Sequence, residues 1–204
     1  MTAGSAETVL DAFLGLVADR GFAEVTLRDV AAATETGLAD LYKLYPDKAA
    51  LAAAFLARID AAVLAGTPRQ ADPEETARDR LFDVMMRRYD ALRPHKAALR
   101  AIRQAALRDP LLALALAPAV RRSMAAMLEA AGLPSDSIAG AVRQNGLLAI
   151  DYAVSRAFEE DDSVDLSKTM AALDSRLKTA EKWAQAVGKY ATSRPKPEAD
   201  SRSS

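Results

Sequence analysis

Two strongly charged stretches are the first candidates for chemistry in this chain. The acids from Glu159 to Asp162 supply carboxylates that could ligate a cation. Their spacing does not fit a calcium-binding loop, which needs oxygen ligands at fixed alternating positions. We therefore interpret them as a solvated loop between two helices.

The second charged stretch is basic and runs from Arg78 to Arg108, with nine Lys or Arg residues against three acids. Four of these bases share one face of a predicted helix: Arg93, Lys96, Arg100 and Arg103. Such a face is either simply solvated or binds an anionic ligand head group or a lipid surface. The sequence leaves both interpretations open.

Catalytic arrangements are missing from the sequence. There is no cysteine and a single histidine, His95, so disulfides, thiolate metal sites and a His-based metal cluster or relay are not expected. No Gly-rich phosphate loop, nucleophile elbow or HExxH pattern occurs. We expect no enzyme, no metal and no other cofactor.

The composition predicts an all-α protein. Half of the 204 residues are hydrophobic, with much alanine and leucine, and only 5% are aromatic, which favours helices over sheets. The net charge of −1 does not by itself indicate a nucleic-acid partner. We see no secretion signal, and the apolar stretch from Leu111 to Val120 is too short to span a bilayer. A cytoplasmic protein without a membrane span is expected.

Three short helices are predicted at the N-terminus, before a larger helical body. The first ends at Gly21, where a left-handed cap is expected. The second opens with a capping box formed by Thr26 and Asp29. The third follows a tight turn at residues 34–37 and ends before Pro46. Two helices joined in this way can place the second one in a major groove of DNA.

The last two predicted helices carry apolar residues on more than one side, which indicates burial on more than one side. The last helix has the four-and-three spacing of a helix-packing seam, and the helix before it has a ridge of small residues. Both surfaces either pack inside one chain or form a homodimer, which we prefer. The predicted interface residues are Val142, Gly146, Ala149, Ala153, Met170, Leu173, Leu177 and Ala184.

Flexible methionines and aromatic residues in the helical body predict a cavity for an apolar guest. The same residues would also make an adequate closed core. The predicted lining residues are Phe82, Met85, Tyr89, Met124, Met127 and Tyr152.

Residues Val9 to Phe55 resemble the N-terminal domain of TetR-family transcriptional regulators. The matching features are the helix end at Gly21-Phe22, the run from Thr26 to Ala31, the run from Leu41 to Tyr45, and Lys48. About a quarter of the chain carries this resemblance. It implies a TetR-like fold and a repressor that binds a double-stranded DNA operator as a homodimer and responds to a small effector.

The resemblance also implies contacts with DNA. Thr26 and Arg28 would open a helix that contacts phosphates, and Ala39 and Asp40 would face base edges. The implied DNA-binding residues are Thr26, Arg28, Ala39, Asp40, Tyr42, Lys43, Tyr45 and Lys48. Some of them have simpler interpretations: the two tyrosines share a face with core leucines, and the cations would otherwise be ordinary solvated charges.

The chain departs from the family pattern in the turn. Thr34 and Glu35 replace the usual small residue and glycine, and Gly37 replaces the usual serine. Glu35 would be repelled by phosphate, and residues 1–50 carry four bases against eight acids, a net charge of −4. Because phosphate neutralisation supplies most non-specific affinity, such a domain should bind DNA weakly. Asp40 could still accept a hydrogen bond from a cytosine amino group.

A second resemblance lies near the C-terminus. The stretch DDSVDLSKTMAALDSRL, from Asp161 to Leu177, is similar to the ending of TetR-fold proteins that bind lipids and assist ubiquinone biosynthesis. The alternative function is therefore a lipid- or isoprenoid-binding accessory protein without DNA binding. We predict a helix-turn-helix domain at residues 1–47, an effector-binding and dimerisation domain at 48–188, and a disordered tail at 189–204.

Overall fold

The structure, a computed structural model, describes the backbone of residues 3–68 and 74–192 and the side chains of residues 6–68 and 74–185. It confirms the predicted all-α class, because the described residues form helices joined by turns and contain no strand. The helices are α1 (Ala3–Arg20), α2 (Leu27–Ala33), α3 (Leu38–Leu44), α4 (Lys48–Ala65), α5 (Ala77–Leu92), α6 (Lys96–Arg108), α7 (Pro110–Ala130), α8 (Ile138–Glu159) and α9 (Ser167–Thr192). Of the predicted tail, residues 189–192 belong to α9, and residues 193–204 lie outside the described part.

Local signals fix the boundaries of the short N-terminal helices. Gly21 ends α1 with a φ of 86°, a left-handed conformation that glycine adopts without a steric penalty. The predicted capping box is confirmed: the Thr26 hydroxyl accepts a hydrogen bond from the Asp29 N–H at 3.2 Å, and the Asp29 carboxylate accepts one from the Thr26 N–H at 2.7 Å. Asp47 caps α4 by accepting a hydrogen bond from the Ala50 N–H at 2.7 Å.

Helix α4 connects the N-terminal helices to the body. Its buried Leu51 and Phe55 belong to the same core as Phe13 of α1 and Leu41 of α3. Helix α4 also packs along α7, while α6 packs against α1 and α8 packs against α9. A displacement in the body can therefore reach the N-terminal helices through α4 and α6.

The sequence suggested that the acidic loop between α8 and α9 is solvated, but one of its acids is buried. Asp162 is exposed, but Asp161 is fully buried. The Asp161 carboxylate accepts hydrogen bonds from the Thr169 N–H at 2.8 Å, from the Thr169 hydroxyl at 2.9 Å and from Ser163. Burial opposes ionisation, but these hydrogen bonds outweigh it and hold the pKa of Asp161 well below its usual range. Asp161 thus acts as a buried cap for the start of α9.

The basic residues that share one predicted face are engaged with that same loop. Lys96 donates to the carbonyl of Asp161, and Arg93 donates to the carbonyl of Val164. The Glu159 carboxylate lies 3.0 Å from the Arg103 guanidinium and 3.8 Å from that of Arg100. These contacts tie α6 and the turn before it to the end of α8 and the loop after it. The face is therefore largely engaged within the chain, with Arg100 still 61% exposed.

One helix of the described part, Pro110–Ala130, is long and apolar enough to cross a membrane by length and composition. The sequence expectation about a membrane considered only the apolar stretch from Leu111 to Val120, which is the first half of this helix. The core helix of a soluble protein passes the same test, and α7 contributes six residues to the buried interior. This helix is therefore weak evidence for a membrane span.

Candidate nucleic-acid interface and cavity

The turn between α2 and α3 spans residues 34–37 and presents one strained residue. Thr34 closes α2 by donating from its hydroxyl to the Val30 carbonyl at 2.9 Å. Glu35 follows with a φ of 52° and an exposed side chain. A side chain with a Cβ rarely adopts this left-handed conformation, so the departure from the family glycine has a backbone cost as well as a charge. Gly37 caps α3 with a φ of −60° and no side-chain hydrogen bond.

Helix α3 is anchored by one leucine and exposes the rest of its surface. Leu41 is fully buried, whereas Tyr42 is 59% exposed, so Tyr42 is not a core residue. Tyr45 differs, because it ends α3 half-buried against the core. Ala39 is exposed and adds no charge to this surface.

The exposed acid and base of α3 pair with each other. Lys43 Nζ lies 2.9 Å from Asp40 Oδ1, and both side chains are exposed. The hydrogen bond from Lys43 and its positive charge lower the pKa of Asp40. An exposed pair of this kind contributes little to stability, so either partner can exchange its contact for one with a ligand.

The cations around α2 and α4 differ in availability. Arg28 is exposed and makes no hydrogen bond or ion pair with the described residues. Arg20 instead lies 3.0 Å from the Asp29 carboxylate. The hydrogen bonds from the side chain and backbone of Thr26 and from Arg20 lower the pKa of Asp29 to about 2. Thr26 is itself exposed, with its hydroxyl committed to the capping box.

Lys48 is engaged within the chain. Its Nζ donates to the carbonyls of Phe22 at 2.6 Å and Ala23 at 3.2 Å and lies 4.7 Å from the centre of the Phe22 ring. Partial burial lowers the pKa of Lys48, and nearby acids oppose that shift. Lys48 therefore joins the turn after α1 to the start of α4. This contact between positions 26 residues apart was not anticipated from the sequence.

A partly open cavity of about 450 Å³ lies between α4, α5, α6, α7 and α8, within the size range of small-molecule sites. Of the six residues predicted to line a cavity, Met124 and Tyr152 lie in its wall. Met85, Tyr89 and Met127 are buried in the closed core, and the half-buried Phe82 packs against that core outside this wall.

Most of the wall was not anticipated from the sequence. It includes the apolar side chains of Ile102, Leu116 and Leu148, and also Arg88. Arg88 lies four residues after the buried Val84 and four residues before the buried Leu92, on the same face of α5. A charged residue inside an apolar stripe was the available signal.

The predicted dimer residues divide into two groups. Leu173 and Leu177 are buried in the chain's own core. The others are exposed on α8 and α9: Val142, Gly146, Ala149, Ala153, Met170 and Ala184. Ile138, Tyr152 and Trp183 extend this apolar surface, each more than half exposed at 89%, 61% and 70%. The described residues contain no group of three or more His, Cys, Asp or Glu side chains that could hold a metal ion.

Two short helices joined by a four-residue turn, with the second helix exposed, define a helix-turn-helix protein with a helical body. Residues 9–55 match the family model described as bacterial regulatory proteins, tetR family. This segment is therefore a tetR-family helix-turn-helix.

Comparison with solved structures extends the similarity to most of the chain. A TetR transcriptional regulator from Nitrosomonas europaea has a TM-score of 0.69 and 20% identity, over 87% of this chain and 98% of that one. A TetR transcriptional regulator from Rhodococcus sp. RHA1 has a TM-score of 0.62 and 18% identity, over 86% of this chain and 95% of that one. For a TetR-family regulator from Streptomyces coelicolor these values are 0.58 and 19%, over 86% and 98%. A comparison with curated proteins gives no match. Most of the chain thus has the TetR-like fold.

Proposed function

We propose that this protein is a transcriptional repressor that binds an operator as a homodimer and is released by a small effector in the cavity. The observation that carries the proposal is the exposed surface of α3, where Ala39, Asp40, Tyr42 and Lys43 stand out from a helix anchored by Leu41. The proposed domains keep the boundary before Lys48, where α4 begins.

Contacts with phosphate would come from two sides of the turn. Arg28 approaches with an unpaired guanidinium, and Lys43 exchanges Asp40 for a phosphate oxygen when DNA binds. Once released, Asp40 accepts a hydrogen bond from a cytosine amino group. Tyr42 donates its exposed hydroxyl to the backbone. Lys48 supports the interface indirectly, since its ammonium group already binds two carbonyls.

The homodimer would form through the apolar surface of α8 and the adjoining part of α9. Val142 is 67% exposed, and the small residues Gly146, Ala149 and Ala153 allow two α8 helices to approach closely. A two-fold pair places two α3 helices on successive major grooves, roughly 34 Å apart. We expect Val142→Glu to convert a dimer into a monomer in light scattering at about 20 µM. A wild-type monomer under these conditions contradicts the assembly.

The effector would act through the helices that form the cavity and also contact the N-terminal helices. Helix α6 lines the cavity with Ile102 and packs against α1. Helix α4 lines it with Phe55, which belongs to the same core as Leu41. A ligand that spreads these walls would change the spacing of the two α3 helices and so weaken operator binding.

A selection of genomic fragments by the purified protein tests DNA binding, followed by fluorescence anisotropy with the enriched duplex. We expect Arg28→Ala and Lys43→Ala each to weaken binding about three- to tenfold and to reduce the salt slope by about 2, because a homodimer loses one phosphate contact in each protomer. Lys178→Ala is the matched control, because Lys178 is also an exposed lysine paired with an acid along its helix. No enriched fragment, or an equal loss in the control variant, contradicts the proposal.

The second candidate function is that of a lipid- or isoprenoid-binding accessory protein without an operator. The acid excess of residues 1–50 and the internal pairing of most bases there favour it. It predicts that no fragment is enriched and that solvent extraction of the purified protein recovers an isoprenoid or a phospholipid. Repeated recovery of empty protein contradicts it.

A further inference from the structure

The wall of the cavity carries more arginines than acids. Three arginines lie in the wall, Arg88, Arg103 and Arg121, against a single acid, Asp151. Arg103 is paired with a carboxylate outside the wall, Glu159, at 3.0 Å. The Asp151 carboxylate already accepts a hydrogen bond from a tyrosine hydroxyl at 3.0 Å. Acids in or next to the wall therefore balance much of this positive charge, and the unused hydrogen-bond donors of the arginines decide what the cavity can bind.

Arg88 is the unusual member of this set because it is buried and only partly satisfied. It is 4% exposed, and its Nη1 donates to Asp60 at 2.9 Å. Its Nε is buried without a hydrogen-bond partner among the described residues. Leaving a charged donor unpaired in the interior is costly. Arg58 Nη2 and Arg87 Nε are also unpartnered, but neither of these residues lies in the cavity wall.

The guanidinium fork and the apolar wall together select one class of ligand. An arginine offers a planar edge of two parallel N–H donors that matches a carboxylate, and Asp60 uses only one of its nitrogen atoms. A carboxylate brings a single negative charge, so it adds less desolvation cost than a dianion would. Ile102, Leu116 and Leu148 then provide the surface for an apolar chain.

We propose that the effector is an amphipathic carboxylic acid whose head group binds the unused donors of Arg88 and whose chain fills the cavity. This inference rests on the proposed function and deepens it by naming the ligand class. Because Asp60 belongs to α4, a ligand that shares Arg88 with Asp60 alters a contact of the helix that leads to the N-terminal domain. Ser123 of α7 donates to the same carboxylate oxygen of Asp60, so the perturbation reaches two helices.

Isothermal titration calorimetry on the full chain tests the ligand class with three probes of equal chain length: decanoate, decanol and decylammonium. We expect decanoate to bind about tenfold or more tightly than decanol, and decylammonium to bind more weakly than both. Equal affinity for decanoate and decanol, or a preference for decylammonium, overturns the inference.

Two variants locate the head group. The double variant Asp60→Asn, Arg88→Met removes the buried pair without leaving one charge alone, so it keeps the fold, which circular dichroism checks. In it we expect the affinities for decanoate and decanol to agree within about twofold. Arg121→Met is the matched control: Arg121 lies in the same wall but is exposed, and at least about fivefold preference for decanoate should remain. Preference retained in the double variant overturns the inference.

The calorimetry needs no DNA, so the two proposals fail separately. If the protein prefers decanoate but enriches no genomic fragment, the proposed ligand class is supported and the repressor function is contradicted. If the protein binds an operator but does not prefer decanoate, the repressor function is supported and the proposed ligand class is contradicted.

Discussion

Replacing Glu35 by glycine tests the structure of the turn and its role at DNA in one experiment. Glu35 has a φ of 52°, and the left-handed conformation costs an ordinary residue about 1–2 kcal/mol. Glycine removes that cost but loses about 0.5–1 kcal/mol through the greater freedom of its unfolded chain. The net gain lies between about 0 and 1.5 kcal/mol, and its midpoint of about 0.75 kcal/mol raises the melting temperature of a chain of this size by roughly 1.5–3 °C.

The same substitution removes a negative charge next to the proposed DNA surface. Two unit charges about 10 Å apart in water repel each other by about 0.4 kcal/mol, and more than one phosphate lies within that range of a groove-bound helix. We therefore expect Glu35→Gly to tighten operator binding about two- to fivefold. The gain should shrink between 50 mM and 200 mM salt because the Debye length falls from about 14 to about 7 Å.

The control variant is Glu35→Ala, which removes the charge but keeps a Cβ at the left-handed position. It should tighten DNA binding as much as Glu35→Gly does, without the increase in melting temperature. Differential scanning fluorimetry and fluorescence anisotropy give the two readouts. If Glu35→Ala raised the melting temperature equally, the backbone explanation would be wrong. If neither variant changed operator affinity, the turn would lie away from the phosphates.

Two further predictions concern stability. In urea titrations, Asp161→Ala should lower the free energy of unfolding by about 1–3 kcal/mol, because a buried, hydrogen-bonded cap is lost. The control Asp162→Ala changes an exposed neighbour and should alter the free energy of unfolding by less than about 0.5 kcal/mol. Because folding depresses the pKa of Asp161, its contribution to stability is present above about pH 4 and declines as the pH falls towards the depressed pKa. The difference in unfolding free energy between wild type and Asp161→Ala should therefore narrow in acid. A constant difference from pH 7 to pH 3 would contradict this account. Gly37→Ser should stabilise α3 by a few tenths of a kcal/mol, because its hydroxyl adds the missing cap. A Cβ at this position meets only Asp40 Oδ2, at 3.5 Å. A fall in melting temperature would show that the site is more crowded than this distance indicates.

The features that could be predicted from the sequence are those determined by neighbouring residues. The Thr26–Asp29 capping box, the cap at Gly21 and the start of α4 after Asp47 each depend on a few consecutive positions. For the same reason the helix-turn-helix was recognisable, since its spacing is contained in one short segment.

The features that could not be predicted depend on distant residues. Lys48 binds carbonyls 25 and 26 positions away, and Lys96 binds the Asp161 carbonyl 65 positions away. Charge alone describes such residues as solvated bases, because the pattern of one helix does not show what packs against it. Leu173 and Val142 were predicted for the same interface, yet one is buried in the chain's own core and the other is 67% exposed.

The pairing of charges in the N-terminal domain bears on how a repressor of this kind would reach useful affinity. Lys43, Lys48 and Arg20 each have an internal partner, which leaves Arg28 as the base that approaches phosphate without giving up a contact. Non-specific affinity rises with the number of phosphates neutralised, so one domain alone should hold DNA poorly. A dimer makes the second contact intramolecular, and its effective concentration then multiplies two weak affinities. Because each half would contribute little in the proposed repressor, a small change in the spacing of the two α3 helices would be enough to remove the second contact and release the operator.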